Sequence, residues 1–198
     1  QSQDASADSI LFIGSSSIRR WTSIAEDMAP YKPIRRGYGG AKYSAAAVFA
    51  ERIITPHDYR AIVMFVGNGV VGKSSDLSPD EVEALTRHIV GVARRHRPQA
   101  PFLIIEITPT EKRFSAWSKI RDANARLREV ALTTPMTYFL PTASHYLTPE
   151  GSPRSELFVD DRVHLNRDGY QLGSHLIKHR LDEVLAVTSV MTQSENLK

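Results

Sequence analysis

Apolar positions along the chain fall into two recurring patterns. Continuous runs at Ile10 to Ile13, Ala61 to Val66, Phe102 to Ile107 and Thr137 to Leu140 read as buried strands, and a further short strand begins at Pro33. Between them, apolar residues recur at helical spacing. Ile18, Trp21, Ile24, Ala25 and Met28 predict a helix over Ser17 to Met28, and a second spans Ala45 to Ile54. The clearest helix opens at Ser78-Pro79-Asp80-Glu81 and continues through Val82, Leu85, Ile89 and Val92. Another follows Ser115, with Trp117, Ile120, Ala123, Asn124, Leu127 and Val130 on one face. Strand and helix alternate, which implies an α/β layer fold whose mainly parallel sheet presents ligand sites at the carboxyl ends of its strands.

Composition narrows this picture. A chain of 198 residues, 41% of them hydrophobic, suits one buried domain, expected over residues 9–187 between a polar leader at 1–8 and a polar, fraying tail at 188–198. Charge is nearly balanced, 25 basic against 22 acidic residues, so nucleic acid is not an expected partner. The longest basic cluster, Arg94-Arg95-His96-Arg97, falls at a predicted helix carboxyl end, where it complements the dipole. Absence of cysteine removes disulfides, thiolate catalysis and cysteine-based zinc sites. No apolar run is long enough to cross a bilayer, and no signal peptide is visible. The start at Gln1 without methionine reads as loss of an upstream piece, through signal cleavage and export or through trimming. Neither GxGxxG nor GxxxxGK[ST] occurs, so nucleotide binding has no support.

Candidate chemistry lies where strands end. Gly14-Ser15-Ser16-Ser17 closes the first strand, a place that suits either a nucleophilic hydroxyl beside backbone donors or plain helix capping. Gly37-Tyr38-Gly39-Gly40 follows the second strand, as a ligand-approaching turn or an ordinary loop, and Gly67-Asn68-Gly69 follows the third. Near the carboxyl end, Asp161 stands three residues before His164, close enough to orient one imidazole nitrogen while the other faces outward. The remaining histidines form no ligand-like cluster. His175 and His179 share a helical face and are expected to be exposed, so no metal is expected.

Together these blocks resemble the SGNH hydrolases, the GDSL-like esterases and acylhydrolases, from about Ser9 to Leu185. Phe12-Ile13-Gly14-Ser15-Ser16-Ser17 is similar to the first block with serine in place of aspartate, which implies Ser16 as the nucleophile. Arg36-Gly37-Tyr38-Gly39-Gly40 resembles the second, implying Gly40, ahead of Gly39, as an oxyanion donor. Phe65-Val66-Gly67-Asn68 resembles the third, with Asn68 as a further donor, and Asp161-Arg162-Val163-His164-Leu165-Asn166 the fourth, with Asp161 orienting the base His164. Two positions depart from the pattern: Gly69 replaces the usual aspartate, and Arg35 stands where asparagine is frequent.

The resemblance implies a three-layer α/β/α sandwich of flavodoxin-like type, with about five strands. It further implies a serine esterase that needs neither metal nor organic cofactor and acts through an acyl-enzyme, its oxyanion held by Ser16, Gly40 and Asn68. Acetyl or short acyl esters, small-molecule or carbohydrate, are the expected substrates. Tyr38 and Trp117 are the aromatics considered for a sugar, though Trp117 equally suits the core. Alternatives are a lysophospholipase of the same family and a non-catalytic binding module, for which Gly69 is the only motive. Oligomeric state is not written in the sequence.

Overall fold

The computed structural model describes residues 8–195, with side chains through residue 188. Strands β1 (Ser9–Gly14), β2 (Lys32–Gly37), β3 (Ala61–Phe65), β4 (Phe102–Ile105) and β5 (Thr137–Leu140) form one sheet. Its order is β2-β1-β3-β4-β5, and every neighbouring pair is parallel. Among the described residues seven α-helices connect and cover it: α1 (Ser16–Arg20), α2 (Ile24–Asp27), α3 (Tyr43–Val48), α4 (Ala50–Ile54), α5 (Pro79–His96), α6 (Trp117–Thr133) and α7 (Arg167–Glu195).

Continuous apolar strands have this outcome because alternate side chains point to opposite faces and both faces are covered. Leu11, Ile13, Ile62, Met64, Phe102 and Ile104 pack with α3, α4, α5 and α6. Their neighbours Ile10, Phe12, Val63 and Leu103 pack with α1, α2 and α7 on the other face. The result is the expected three-layer α/β/α sandwich. Helix α5 starts as its sequence predicts: Glu81 N–H donates to the Ser78 hydroxyl, and the Glu81 carboxylate accepts from Ser78 N–H. Buried Asn124 on α6 is satisfied by one backbone unit, accepting from Ile107 N–H and donating to Ile107 C=O, which fixes the exit of β4.

Helix boundaries differ from the periodicity in three places. The predicted Ser17–Met28 helix is broken between α1 and α2 because the chain leaves helical geometry at Trp21, whose carbonyl accepts from the Arg35 guanidinium at 2.8 Å. The predicted Ala45–Ile54 helix bends at Phe49, which turns its ring edge-on to Tyr38. Helix α7 continues through most of the segment read as a tail; the leader, apart from Asp8, and residues 196–198 lie outside the described residues.

Asp27 joins the two chain segments that carry the site. Its carboxylate, 3% exposed, accepts from Trp21 Nε1 and Ser23 Oγ, both at 2.6 Å, and from the Arg167 guanidinium at 2.5 Å. Burial alone would raise its pKa, but these hydrogen bonds and the Arg167 charge outweigh burial and hold it below the usual range. Such a group stabilises the fold fully above its unfolded pKa, about 4, and loses that contribution as pH falls through the lower folded value. Asp27→Ala is expected to cost about 2–4 kcal/mol in denaturant titrations near neutral pH. The stability gap between the unmutated protein and Asp27→Asn should shrink from pH 6 to pH 3; a constant gap would show that the charge of Asp27 is not what holds this junction.

Candidate active site

The strand order places the site. Chain connections depart in opposite directions from β1 and β3, leaving a crevice outside their carboxyl ends. Gly14 closes β1 at φ +154°, and a Cβ there would lie 2.0 Å from the Phe65 carbonyl oxygen, so only glycine permits the turn. Ser15 N–H then donates to that carbonyl at 3.1 Å. Ser15 occupies the helix-cap position yet makes no side-chain cap hydrogen bond, which removes the capping explanation for it. Ser16 is the first residue of α1, half-buried at the crevice.

His164 approaches from a tight loop before α7. Phe158 and Leu165 pair across this loop, Val159 N–H donates to His164 C=O at 2.9 Å, and Arg162 adopts a left-handed φ of 56°. Asn166 fastens the base of the loop. Its side-chain oxygen caps α7 by accepting from Gly169 N–H, and its amide donates to Glu156 C=O. Within the loop, Asp161 Oδ1 accepts from the N–H groups of Val163 and His164, both at 2.9 Å, and Oδ2 lies 2.6 Å from His164 Nδ1. Burial works against the Asp161 charge, but the His164 and Val163 N–H groups and the imidazole hold its carboxyl well below the usual carboxylate range. An ionised carboxylate only accepts, so Nδ1 carries the proton and Nε2 is left to accept. The Ser16 hydroxyl donates to that Nε2 at 2.8 Å.

Gly40 and Asn68 arrive from the ends of β2 and β3. Gly40 is exposed at φ +74°, and an isolated parallel bridge between Lys42 and Asn68 holds its loop against the β3 loop. Two spaces meet at these residues. A cavity of about 30 Å³, room for roughly two waters, is lined by Ser16, Ser17, Phe65, Asn68, Ile107 and Leu165 among others. An open cleft of about 540 Å³ is bounded by Gly40, Asn68 and His164. Tyr38 and Trp117 line neither space: Tyr38 packs on Phe49, and Trp117 packs against the core.

A family model described as the GDSL-like lipase/acylhydrolase family matches residues 8–172. The chain belongs to that family. It is therefore a carboxylic ester hydrolase. A search of curated proteins finds no matching sequence. Among solved structures, a GDSL-like lipase from Bacteroides thetaiotaomicron superposes with TM-score 0.77 at 17% identity, covering 89% of each chain. A carbohydrate esterase family 3 protein from Talaromyces cellulolyticus gives 0.67 at 13%, covering 90% of this chain and 98% of that one. A lipase/acylhydrolase from Enterococcus faecalis gives 0.69 at 13%, covering 87% and 94%. At these identities the likeness is one of fold.

The GDSL-like motifs do not include two residues that organise the β3 loop. Arg113 donates to Gly67 C=O at 2.9 Å and to Asn68 Oδ1 at 2.7 Å. A guanidinium can only donate, so it fixes which way the Asn68 amide points and leaves the NH₂ as the donor for the crevice. Asp76 Oδ2 accepts from the N–H groups of Val71, Gly72 and Lys73 at 2.6–3.0 Å, gathering the remainder of the loop. No short motif marks either residue. Gly69, in turn, sits at φ +149° with a notional Cβ 3.3 Å from the Tyr43 ring, so its backbone requires glycine at the position where the resembled motif would have aspartate.

Two outcomes follow from this loop. Arg113→Gln should lower kcat on the order of tenfold with little change in KM, and should cost almost nothing further in an Asn68→Ala background; additive losses would deny that Arg113 works through Asn68. Gly69→Asp should destabilise the protein by about 1–3 kcal/mol without raising ester turnover. A gain in turnover would show that the missing aspartate had impaired the site.

Proposed function

We propose that this chain hydrolyses acetyl and other short acyl esters through Ser16, His164 and Asp161. The observation that carries the reading is the unbroken line of hydrogen bonds from the Ser16 hydroxyl through the imidazole to the Asp161 carboxylate. As Ser16 Oγ bonds to the ester carbonyl carbon, its proton passes to His164 Nε2, and Asp161 stabilises the resulting imidazolium. The carbonyl oxygen becomes an oxyanion, accepting from Ser16 N–H, Gly40 N–H and the Asn68 NH₂. His164 then returns the proton to the leaving alkoxide, the alcohol departs, and water repeats both steps to release the acid and free Ser16.

The size of the closed cavity supports a short acyl group. The cavity is lined by Ser16 and by Val163 and Leu165 on either side of His164, whereas the open cleft is lined by His164 itself, on the side where the alcohol must leave. A carbohydrate alcohol fits the cleft, in keeping with the fold likeness to a carbohydrate esterase, but would rely on polar contacts because neither Tyr38 nor Trp117 lines it. One observation favours a longer acyl chain as the second reading. An apolar chamber of about 40 Å³ shares Ser17, Phe65, Thr108 and Leu165 with the closed cavity, so movement of Phe65 or Leu165 would join the two.

Hydrolysis of p-nitrophenyl acetate, butyrate and octanoate decides between them. Turnover should fall from acetate to octanoate, Ser16→Ala should lose at least ~10³-fold, and Asn68→Ala should lose ~10²–10³-fold in kcat. Octanoate turnover equal to or above acetate would favour the joined chambers. Full activity in Ser16→Ala, or no labelling of the unmutated protein by a fluorophosphonate, would overturn the mechanism.

A further inference from the structure

The open cleft is cationic in a way the chemistry of ester hydrolysis does not require. Lys42 comes from the start of α3, Lys73 from the loop after β3, and Lys112 with Arg113 from the turn after β4. Four cations from three separate crossovers thus converge on the space bounded by Gly40, Asn68 and His164. Only two carboxylates share it, and both are already engaged: Asp76 by three N–H groups of its own loop, Asp161 by His164, Val163 and the Arg20 guanidinium. Among the described residues, no carboxylate lies within 4.0 Å of Lys42, Lys73, Lys112 or Arg113, whereas Glu111 beside them is paired with Arg162. The whole chain carries a formal excess of only three positive charges, so an excess of two in one cleft is a local concentration and not the background of a basic protein.

Exposed lysines attract an anion weakly one by one, but several facing one cleft raise the local concentration of an anionic ligand and steer its approach. The leaving alcohol is the part of the ester that occupies this cleft, because His164 must protonate its oxygen there. We infer that the alcohol portion of the natural ester carries a negative charge, a carboxylate or a phosphate, recognised by Lys42, Lys73 and Lys112. This rests on the esterase reading above. The acyl group remains short, since the closed cavity is small.

The test compares 4-acetoxybenzoate with its methyl ester, each kcat/KM divided by that ester's rate of alkaline hydrolysis. At about 20 mM salt the carboxylate should be favoured by ~10-fold or more, and about 0.5 M NaCl should remove most of that advantage. The combined Lys42→Gln, Lys73→Gln and Lys112→Gln variant should bring the ratio to about one. Lys32→Gln, at the opposite end of the sheet, should leave the ratio as it is. The 4-acetoxyphenyl phosphate arm separates the sources: a larger advantage than the carboxylate's assigns a phosphate-bearing alcohol, a smaller one a carboxylate-bearing alcohol. Equal normalised rates for the two benzoate esters, or a preference that survives the triple variant, would overturn the inference while leaving the esterase standing. No hydrolysis of either ester would remove both.

Discussion

Everything the site can do depends on holding His164 against Ser16 across 148 residues of chain. A hydroxyl–imidazole hydrogen bond contributes too little to bring such distant segments together, so the contact must be a consequence of packing that already places them. That packing is the seam between α1–α2 and the start of α7. The Trp21 and Tyr170 rings stack at 5.3 Å with an interplanar angle of 19°, and the Tyr170 hydroxyl donates to the Ser17 carbonyl at 2.8 Å. The Asp27–Arg167 pair closes the same seam three residues beyond His164. Seen this way, the broken first helix has a use. Ending α1 at Trp21 frees the indole to face Tyr170 while its N–H reaches Asp27.

A second regularity is that Asp161 and Asp76, beside the crevice, each accept from N–H groups within a few residues of themselves, although Asp161 Oδ2 also faces the Arg20 guanidinium at 3.5 Å. Asp161 is bound by the N–H groups of Val163 and His164, and Asp76 by those of Val71, Gly72 and Lys73. Such local cages fix a loop without help from the rest of the fold, because the entropy of closing so short a segment is small. They also explain how the β3 loop stays ordered with Gly69 where the resembled motif would have an acid. The aspartate that organises this loop lies seven residues further along, and the Asn68 amide is oriented by Arg113 from the next crossover.

The boundary between what could and could not be read from sequence follows the same division. The strand followed by a glycine turn marked the three serines, and the acid and histidine within one loop marked Asp161 and His164; it was the resemblance to the family's first block that singled out Ser16. The central strands β1, β3 and β4 were legible because strands buried on both faces must be continuously apolar, whereas the edge strand β2, largely polar and partly exposed, was marked mainly by the glycine turn that follows it. Helix breaks were not legible, since Trp21, Ile24 and Met28 are all buried as a continuous helix would bury them, although the chain turns between the first two. Arg113 was not legible either. It belongs to a turn of ordinary polar composition, and its contact with Asn68 spans 45 residues, a relation that leaves no trace in local spacing.

Separation of the two spaces around Ser16 sets how specificity and chemistry can vary independently. Part of the closed cavity is walled by residues at or just beyond the strand ends, Phe65 and Ile107, whose backbones are set by the sheet, so that only side-chain movement can reshape it there. The cleft is walled in part by Lys42, Lys73 and Lys112, whose side chains are exposed. Charges there can change at little cost in stability, since exposed substitutions outside packing and capping positions are nearly neutral. On the proposed mechanism, selectivity for the acyl group would follow residues held by the sheet, whereas selectivity for the alcohol would follow exposed side chains. The proposed anionic alcohol would thus be read by residues whose replacement costs the fold little.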